Sequence, residues 1–226
     1  MEMLPAMIAT TLAVATLAMV FALFAPSAIL ALRPAWLVQR FKDPAEKGVA
    51  ELWKRYEATV LDLEKLGLTR LGVRTEWAGP TKSGRKECCE LSSSGLRVFG
   101  TVGSLPGRRA KPFLYFLTPF QDGAVVFTAT STAHLTTIAD DFAYGALQGS
   151  PADLLALHRT RVQLLLDQKR VVDNAFDAAG RLAACKTFYA HPRIRKRMRK
   201  TAWLIALQLA AVAACVSLVM FKLLGV

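Results

Sequence analysis

Hydrophobic and polar residues divide the chain into three blocks. The first, from Met3 to Leu32, has no charged residue, and neither has the last, from Thr201 to Phe221. The middle block mixes charged and apolar residues with the periods of helices and strands. The twenty residues from Ala202 to Phe221 make a helix of roughly 30 Å, the thickness of a bilayer's hydrocarbon core. We predict an N-terminal transmembrane helix over 1–32, a folded domain over 33–200 and a C-terminal transmembrane helix over 201–226.

Each terminal block has an alternative interpretation. In the first, Pro26 is the expected break after a helical core from Ala6 to Ala25, and a cleaved signal peptide is the alternative. A signal peptide has a basic start, whereas the only early charge here is Glu2, which favours a retained anchor. For the last block the alternative is a buried core helix, but a helix apolar on all sides is typical of a membrane span in so small a chain.

Cations flank both predicted spans on the side of the middle domain. Six of the eight residues from Arg193 to Lys200 are basic, and we call this segment the basic collar. Cations in such positions are retained on the cytoplasmic side, so we predict a multi-pass protein of the plasma (inner) membrane with a cytoplasmic middle domain and both termini outside. The residues predicted to contact anionic lipid headgroups are Arg33, Arg40, Lys42, Arg193, Arg195, Lys196, Arg197, Arg199 and Lys200.

Two further features of the terminal blocks concern the membrane. Trp36 and Trp203 lie at the predicted interfaces, where amphipathic rings act as anchors. Small residues recur at every fourth position of the second span (Ala206, Ala210 and Ala214), and Gln208 lies beside them. Such a face allows close packing of helices in lipid, with Gln208 bonding across the contact; an Ala-rich composition that produces the spacing by chance is the alternative.

The middle block predicts an α+β domain that begins with an amphipathic helix. Asp43, Pro44 and Glu46 have the spacing of a helix start, and Gly67 is suited to its end. Between them, apolar residues recur at every third or fourth position over about 22 residues: Val49, Leu52, Tyr56, Val60 and Leu63.

The next residues change to the alternating period of strands. Between Leu71 and Trp77 every second residue is uncharged, and the charged residues Arg70, Arg74 and Glu76 alternate with them, which predicts a half-buried strand. Two hairpins are expected to follow, Lys86–Leu91 with Leu96–Val102 and Phe113–Thr118 with Ala124–Ser131, separated by a basic loop over Gly103–Lys111. The total is about five antiparallel strands. Phe113 to Phe116 is apolar on both sides, so this strand is either covered on both faces or turned towards lipid or a partner.

A long helix is predicted after the sheet. Thr137 to Leu147 is interpreted as a short helix, and Ser150-Pro151-Ala152-Asp153 is a second helix start. Apolar residues then keep helical spacing as far as Ala183, with one slip at Lys169. This helix leads through His191-Pro192 into the basic collar.

Composition and motifs give little sign of catalysis. The net charge is +12, and half of it lies in the collar, which favours anionic lipid over nucleic acid as the partner. No metal-binding, cofactor-binding or nucleophile motif is present. Cys88 and Cys89 are adjacent in a predicted strand, so their thiols point to opposite faces and are interpreted as structural. Arg108, Arg109 and Lys111 are interpreted as solvated cations.

The histidines offer the remaining candidate sites. His134 with Asp140 and Asp141 forms the only cluster of histidine and carboxylates, although its spacing matches no metal motif. His158 occupies a packing position on the long helix, and His191 lies at the predicted bend.

Three classes of function follow from these patterns. The favoured class is a non-enzymatic accessory, assembly or scaffold subunit that contacts other membrane proteins or a second copy of itself. The second class is a membrane-tethered binding module for a lipid-like or small apolar ligand. The third is an enzyme that uses the region of His134, Asp140 and Asp141.

Overall fold

The computed structural model describes residues 38–77, 85–105, 108–130, 135–139 and 141–200, and a few helical residues, single or in pairs, in the terminal blocks. The chain divides into two compact units, and the one formed by Gln39–Glu76 and Lys86–Ile194 is called the body. The elements are β1 (Val38–Phe41), α1 (Val49–Arg55), α2 (Glu57–Lys65), β2 (Thr69–Trp77), β3 (Arg85–Ser93), β4 (Val98–Leu105), β5 (Arg108–Pro119), β6 (Val125–Thr130), β7 (Leu135–Ala139), β8 (Phe142–Leu147), α3 (Pro151–Asp167) and α4 (Ala178–Ala190). A further helix, α5, covers 192–200.

The central domain is α+β, as predicted, and its sheet is larger than expected. Eight strands follow the order β1-β2-β3-β4-β5-β6-β8-β7. The hairpins β3–β4 and β5–β6 are antiparallel, which confirms both predicted pairs. β8 lies parallel to β6, with Val125 opposite Phe142, and β7 pairs antiparallel with β8 at the edge.

One face of the sheet packs against α1, α2 and α3. The predicted apolar stripe of the first helices is buried there, from Val49 to Leu63. It meets strand residues that share this face because side chains alternate along a strand: Val73, Leu91, Val102, Leu114 and Phe116. Val162 and Leu165 of α3 pack farther along, on Val126 and Ala143.

The opposite face of the sheet is covered by α4. The ring of Phe188 lies 4.9 Å from that of Phe127, and Phe176, just before α4, lies 5.0 Å from Phe99. The strand β5 therefore has helices against both faces. This arrangement explains its apolar residues on both sides and selects the first of the two alternatives predicted for it.

The helix boundaries agree only in part with the predicted ones. Ser150 and Asp153 form a reciprocal capping box at the start of α3, as expected. Asp43 and Glu46 make a turn instead, with Asp43 Oδ1 accepting from Ala45 N at 2.8 Å, and the helix begins only after Gly48, whose φ is +90°. The expected single helix is divided at Tyr56 into α1 and α2, although its apolar stripe continues across the break.

Three other predictions were wrong. The long helix ends at Asp167, because Lys169 adopts a left-handed conformation with φ +63°, and residues 168–177 carry the chain to the other face of the sheet. The segment Thr137–Leu147 contains strand β8 and most of β7 rather than a helix, because its residues pair with β6 and with each other. The expected basic loop over Gly103–Lys111 is the β4–β5 hairpin, in which β5 begins at Arg108.

The two predicted spans fall almost entirely outside the described residues. Among the residues that are described, no helix is long and apolar enough to cross a membrane. Trp203 and Gln208 are helical and exposed, whereas Arg33, Trp36, Ala206, Ala210 and Ala214 lie outside the described residues.

Gly180 is predicted to tolerate no side chain. A Cβ there would lie 1.8 Å from the carbonyl oxygen of Ala175, in the turn where Gly180 N donates to Asp177 Oδ1 at 2.7 Å. Gly180→Ala should lower the free energy of unfolding by about 2–3 kcal/mol, because the start of α4 must shift. Chemical denaturation of the purified chain measures this.

The matched control is Gly95→Ala. A Cβ at Gly95 would have no neighbour within 4 Å, so a change below about 0.5 kcal/mol is expected. Equal effects of the two substitutions would contradict the prediction.

Candidate functional site

A cluster of buried charges lies between the sheet and α4. The carboxylate of Glu90 accepts a hydrogen bond from Arg74 Nε at 2.7 Å and another from Arg181 Nε at 2.8 Å. Thr101 donates to the same carboxylate at 2.6 Å, and Glu76 accepts from Arg74 Nη1 at 2.7 Å. We call these five residues the Glu90 cluster.

The strand period and one helix position bring these residues together. Arg74 and Glu76 are two residues apart on β2 and therefore share a face of the sheet. The members of the cluster that belong to β3 and β4 lie beside them on the same face. Arg181, in the first turn of α4, points at this polar face and is completely buried. In the half-buried strand predicted here, Arg70 is exposed as expected, whereas Arg74 and Glu76 are buried because α4 covers them.

The charges in the cluster are strongly held. Burial opposes the charge on Arg74, but Glu90 and the other neighbouring groups, Glu76 among them, together outweigh it and keep the pKa of the guanidinium well above its usual value. Burial likewise opposes ionisation of Glu76, yet Arg74 and Lys86 keep the pKa of this carboxylate below its usual range. Arg74 and Glu76 therefore both stay ionised through the physiological range.

Two tyrosines extend the cluster. The hydroxyl oxygen of Tyr115 accepts from Arg74 Nη2 at 3.1 Å and from Arg181 Nη2 at 2.8 Å. Tyr189 donates to Glu76 Oε1 at 2.8 Å. Burial raises the pKa of both phenols, and in Tyr189 the neighbouring Glu76 adds to the effect. Both groups are neutral donors and acceptors rather than bases.

A cavity of about 140 Å³ lies beside the cluster, beneath α4. Arg74, Glu76 and Arg181 line it, with Tyr115 and Tyr189. Its remaining wall is largely apolar and includes Phe113, Leu117, Phe127 and Phe188. The exposed residues Lys86 and Ser104 also line it, which marks the side that faces solvent.

The two adjacent cysteines lie on opposite faces of β3, as predicted. Cys88 lines the cavity, whereas Cys89 is buried in the core beneath the helices. Burial raises the pKa of each thiol to about 12, and for Cys89 the neighbouring Cys88 adds to the effect. Since the thiolate is the reactive form, neither sulfur is suited to act as a nucleophile.

His158 is held neutral between two threonines on the other face. Thr118 donates its hydroxyl hydrogen to the carbonyl of Arg97 at 2.8 Å, so it accepts from His158 Nε2 at 2.9 Å. Nδ1 is then the acceptor for Thr128, at 3.0 Å. Burial, followed by the charge of Arg161, lowers the pKa of His158 to about 3. The interpretation of His158 as a packed and paired residue agrees with this geometry.

The proposed histidine–carboxylate cluster is only partly described. His134 and Asp140 lie outside the described residues. Asp141 contacts His191 Nε2 at 3.4 Å and Arg193 Nε at 3.3 Å, so it joins the end of α4 to the start of α5. Within the described ranges, no group of three histidine, cysteine or acidic residues is arranged to hold a metal ion.

The predicted lipid-contacting cations have different surroundings. Arg40 pairs with Glu46 at 3.2 Å, and Lys42 is buried and pairs with Glu87 at 2.9 Å within the body. The collar residues lie on α5, where Arg193, Lys196, Arg197, Arg199 and Lys200 are exposed and Arg195 is half-buried.

Sequence reasoning missed the Glu90 cluster. The available signal was Arg181, which interrupts an otherwise apolar helix segment and shares a helix face with Cys185 and Phe188. A single arginine on such a face needs a buried carboxylate, and Glu90 supplies it from 91 residues away. Because Arg181 and Glu90 are so far apart in sequence, the spacing of neighbouring residues could not reveal their pairing.

Comparisons with known proteins give no further assignment. No family model, curated protein or solved structure matches the chain.

Glu90→Gln is expected to be the most damaging isosteric change in the cluster. It would leave two buried guanidiniums without their shared counter-charge, at a cost of about 3–5 kcal/mol in the free energy of unfolding. Denaturant titration is the measurement. Glu64→Gln, which breaks the exposed pair with Arg70, is the matched control and should cost less than about 1 kcal/mol. A small loss from Glu90→Gln would show that the cluster does not depend on this charge.

His158 should make the protein sensitive to acid. Its pKa is lower in the folded state than in the unfolded state, so the unfolded chain takes up the proton first and stability is lost as the pH falls from about 6.5 towards 3. The full effect is about 5 kcal/mol. His158→Gln removes the titrating group, so thermal denaturation at a series of pH values should show a flatter decline for the variant. Parallel declines would contradict the assignment.

Proposed function

We propose that this protein is a non-enzymatic integral membrane protein, an accessory, assembly or scaffold subunit of a larger complex. In this proposal two spans hold the α+β body at the anionic inner leaflet, and both termini lie outside. The body then supplies a rigid cytoplasmic surface for other membrane proteins or for a second copy of the chain.

The observation that carries the proposal is the basic collar. Its cations lie on the helix α5, which ends directly before the second predicted span. Lys196, Arg199 and Lys200 are exposed on it. Each cation close to an anionic surface contributes roughly 1 kcal/mol of attraction, so the collar favours a position at the headgroups.

The chemistry of the body supports a role without catalysis. The buried polar groups are engaged within the protein: Glu90 by two guanidiniums, and His158 by two threonines. The thiols of Cys88 and Cys89 have raised pKa values. These are features of a stable interior, whereas a catalytic group needs a pKa near the working pH.

The alternative proposal, a binding module, rests on the cavity beneath α4. A site for a lipid-like molecule would need several hundred Å³, within the usual range of roughly 300–1,000 Å³. The cavity of about 140 Å³ is smaller than that and has charged residues in its wall. A binding module for a lipid-like molecule therefore has less support than a site for a small polar ligand.

Neutralising the collar tests the membrane part of the proposal. Replacing Lys196, Arg199 and Lys200 by Gln should weaken attraction to anionic lipid without changing the body. After reconstitution of the full chain, the expected result is reduced recruitment of a fluorescent anionic lipid around the protein. A reporter fused to either terminus should act only outside the cytoplasm, and a cytosolic signal from either fusion would overturn the topology.

Isolation from native membranes tests the role as a subunit. The tagged chain, purified in mild detergent, should retain other membrane proteins in fixed stoichiometry, or a second copy of itself, through size-exclusion chromatography. Mass spectrometry then identifies the partners. The collar variant serves as a control for association through bound lipid alone. A monodisperse single chain, free of partners, would overturn this part of the proposal.

A further inference from the structure

The cavity beneath α4 has the size of a small organic molecule. Its volume of about 140 Å³ is close to the roughly 150 Å³ that is enough to hold benzene. Part of the wall suits such an occupant, because Phe113, Phe127 and Phe188 line it and the last two rings stack at 4.9 Å. This part of the wall offers apolar contact to a ring or a short branched chain.

The rest of the wall favours an anion. Three cations, Arg74, Arg181 and Lys86, line the cavity against one carboxylate, that of Glu76. Glu90 neutralises part of this charge from behind the guanidiniums. Arg74 and Arg181 are almost completely buried, so they act on an occupant with little screening by water.

The polar wall also has more donors than acceptors. Each guanidinium carries five N–H groups. Arg74 places three of them on Glu90, Glu76 and Tyr115. Arg181 places four, on Glu90, Cys185, Thr101 and Tyr115. Three N–H groups therefore have no acceptor within the described part of the chain.

Tyr115 adds another donor. Its oxygen already accepts from both guanidiniums, which occupies its two lone pairs. The hydroxyl hydrogen has no acceptor among the described residues. Tyr115 is half-buried and lines the cavity, so an oxygen-bearing occupant that accepts this hydrogen would be stabilised at this position.

We propose that this cavity binds a small organic monocarboxylate. The carboxylate accepts from Arg74, Arg181 and Tyr115, and the ring or short chain lies against the phenylalanines. An inorganic anion would leave the apolar wall uncovered, and a neutral arene would leave the donors unsatisfied. This inference goes beyond the proposed function and does not depend on the membrane topology or on a partner.

Titration calorimetry of the purified full chain in detergent tests the site. The probes are benzoate and isovalerate, compared with benzyl alcohol and inorganic phosphate. We expect one of the two carboxylates to bind at a single site, at least tenfold more tightly than either comparison compound. If neither carboxylate binds, or if benzyl alcohol or phosphate binds equally well, the proposal is overturned.

Two variants locate the binding. Tyr115→Phe removes the unassigned donor and should weaken carboxylate binding at least tenfold. Cys88→Leu leaves the Glu90 cluster in place and extends a larger side chain from the cavity wall, so it should abolish binding while the protein stays folded. Tyr56→Phe makes the same chemical change as the first variant in the apolar core on the other face, and its affinity should equal that of the wild type.

Each result with these variants either supports the site or overturns the proposal. Loss of binding in Cys88→Leu with normal thermal unfolding supports the site even if Tyr115→Phe fails to fold. Wild-type affinity in any folded variant that alters the cavity places the ligand elsewhere and overturns the proposal, as does equal loss in Tyr56→Phe.

Discussion

The attraction between one carboxylate and two guanidiniums determines how the body is assembled. Glu90 is buried completely, and ions removed from water cost several kcal/mol each unless their partners are well placed. Arg74 is 16 residues away along the chain and Arg181 is 91 residues away. Neither partner reaches Glu90 unless β2 and β3 are in register and α4 lies across them. The cluster therefore forms only when the strands and the helix are correctly arranged together.

The two faces of the sheet have different physical characters. Beneath α1, α2 and α3 the contacts are mostly apolar, and the buried polar side chains there include His158, whose two ring nitrogens are both engaged by threonines. Beneath α4 the contacts are ionic, aromatic and incompletely filled. An apolar interior tolerates small shifts, whereas charged hydrogen bonds demand particular distances. The side of the body that holds the cavity is thus the side with the stricter geometric requirements.

The predictable part of the fold was the part that depends on local patterning. The apolar stripe from Val49 to Leu63, the capping box at Ser150 and both hairpins follow from periods and turn residues, and each is found. The end of the long helix at Asp167 was visible only as a slip in the stripe at Lys169. The strands β7 and β8 depend on pairing with β6, so local propensity could not distinguish them from a helix.

The candidate site was much less predictable than the fold. Alternation correctly placed Arg74 and Glu76 on one face of a strand, but it could not show that a helix from the end of the domain covers that face. The position of Cys88 in a cavity wall could not be predicted for the same reason, since the cavity exists only once α4 is present. Sites formed by elements far apart in sequence lack a local signature.

The path of residues 168–177 has a consequence for the order of events during synthesis. This segment pairs with the turn at the end of β5, where Gln121 N donates to Val171 O and Asp173 N donates to Pro119 O. All eight strands emerge from the ribosome before α4 does. Until α4 follows, the face of the sheet that carries Arg74, Glu76 and Glu90 has no helix to separate it from water, and Arg181 reaches the cluster only with that helix.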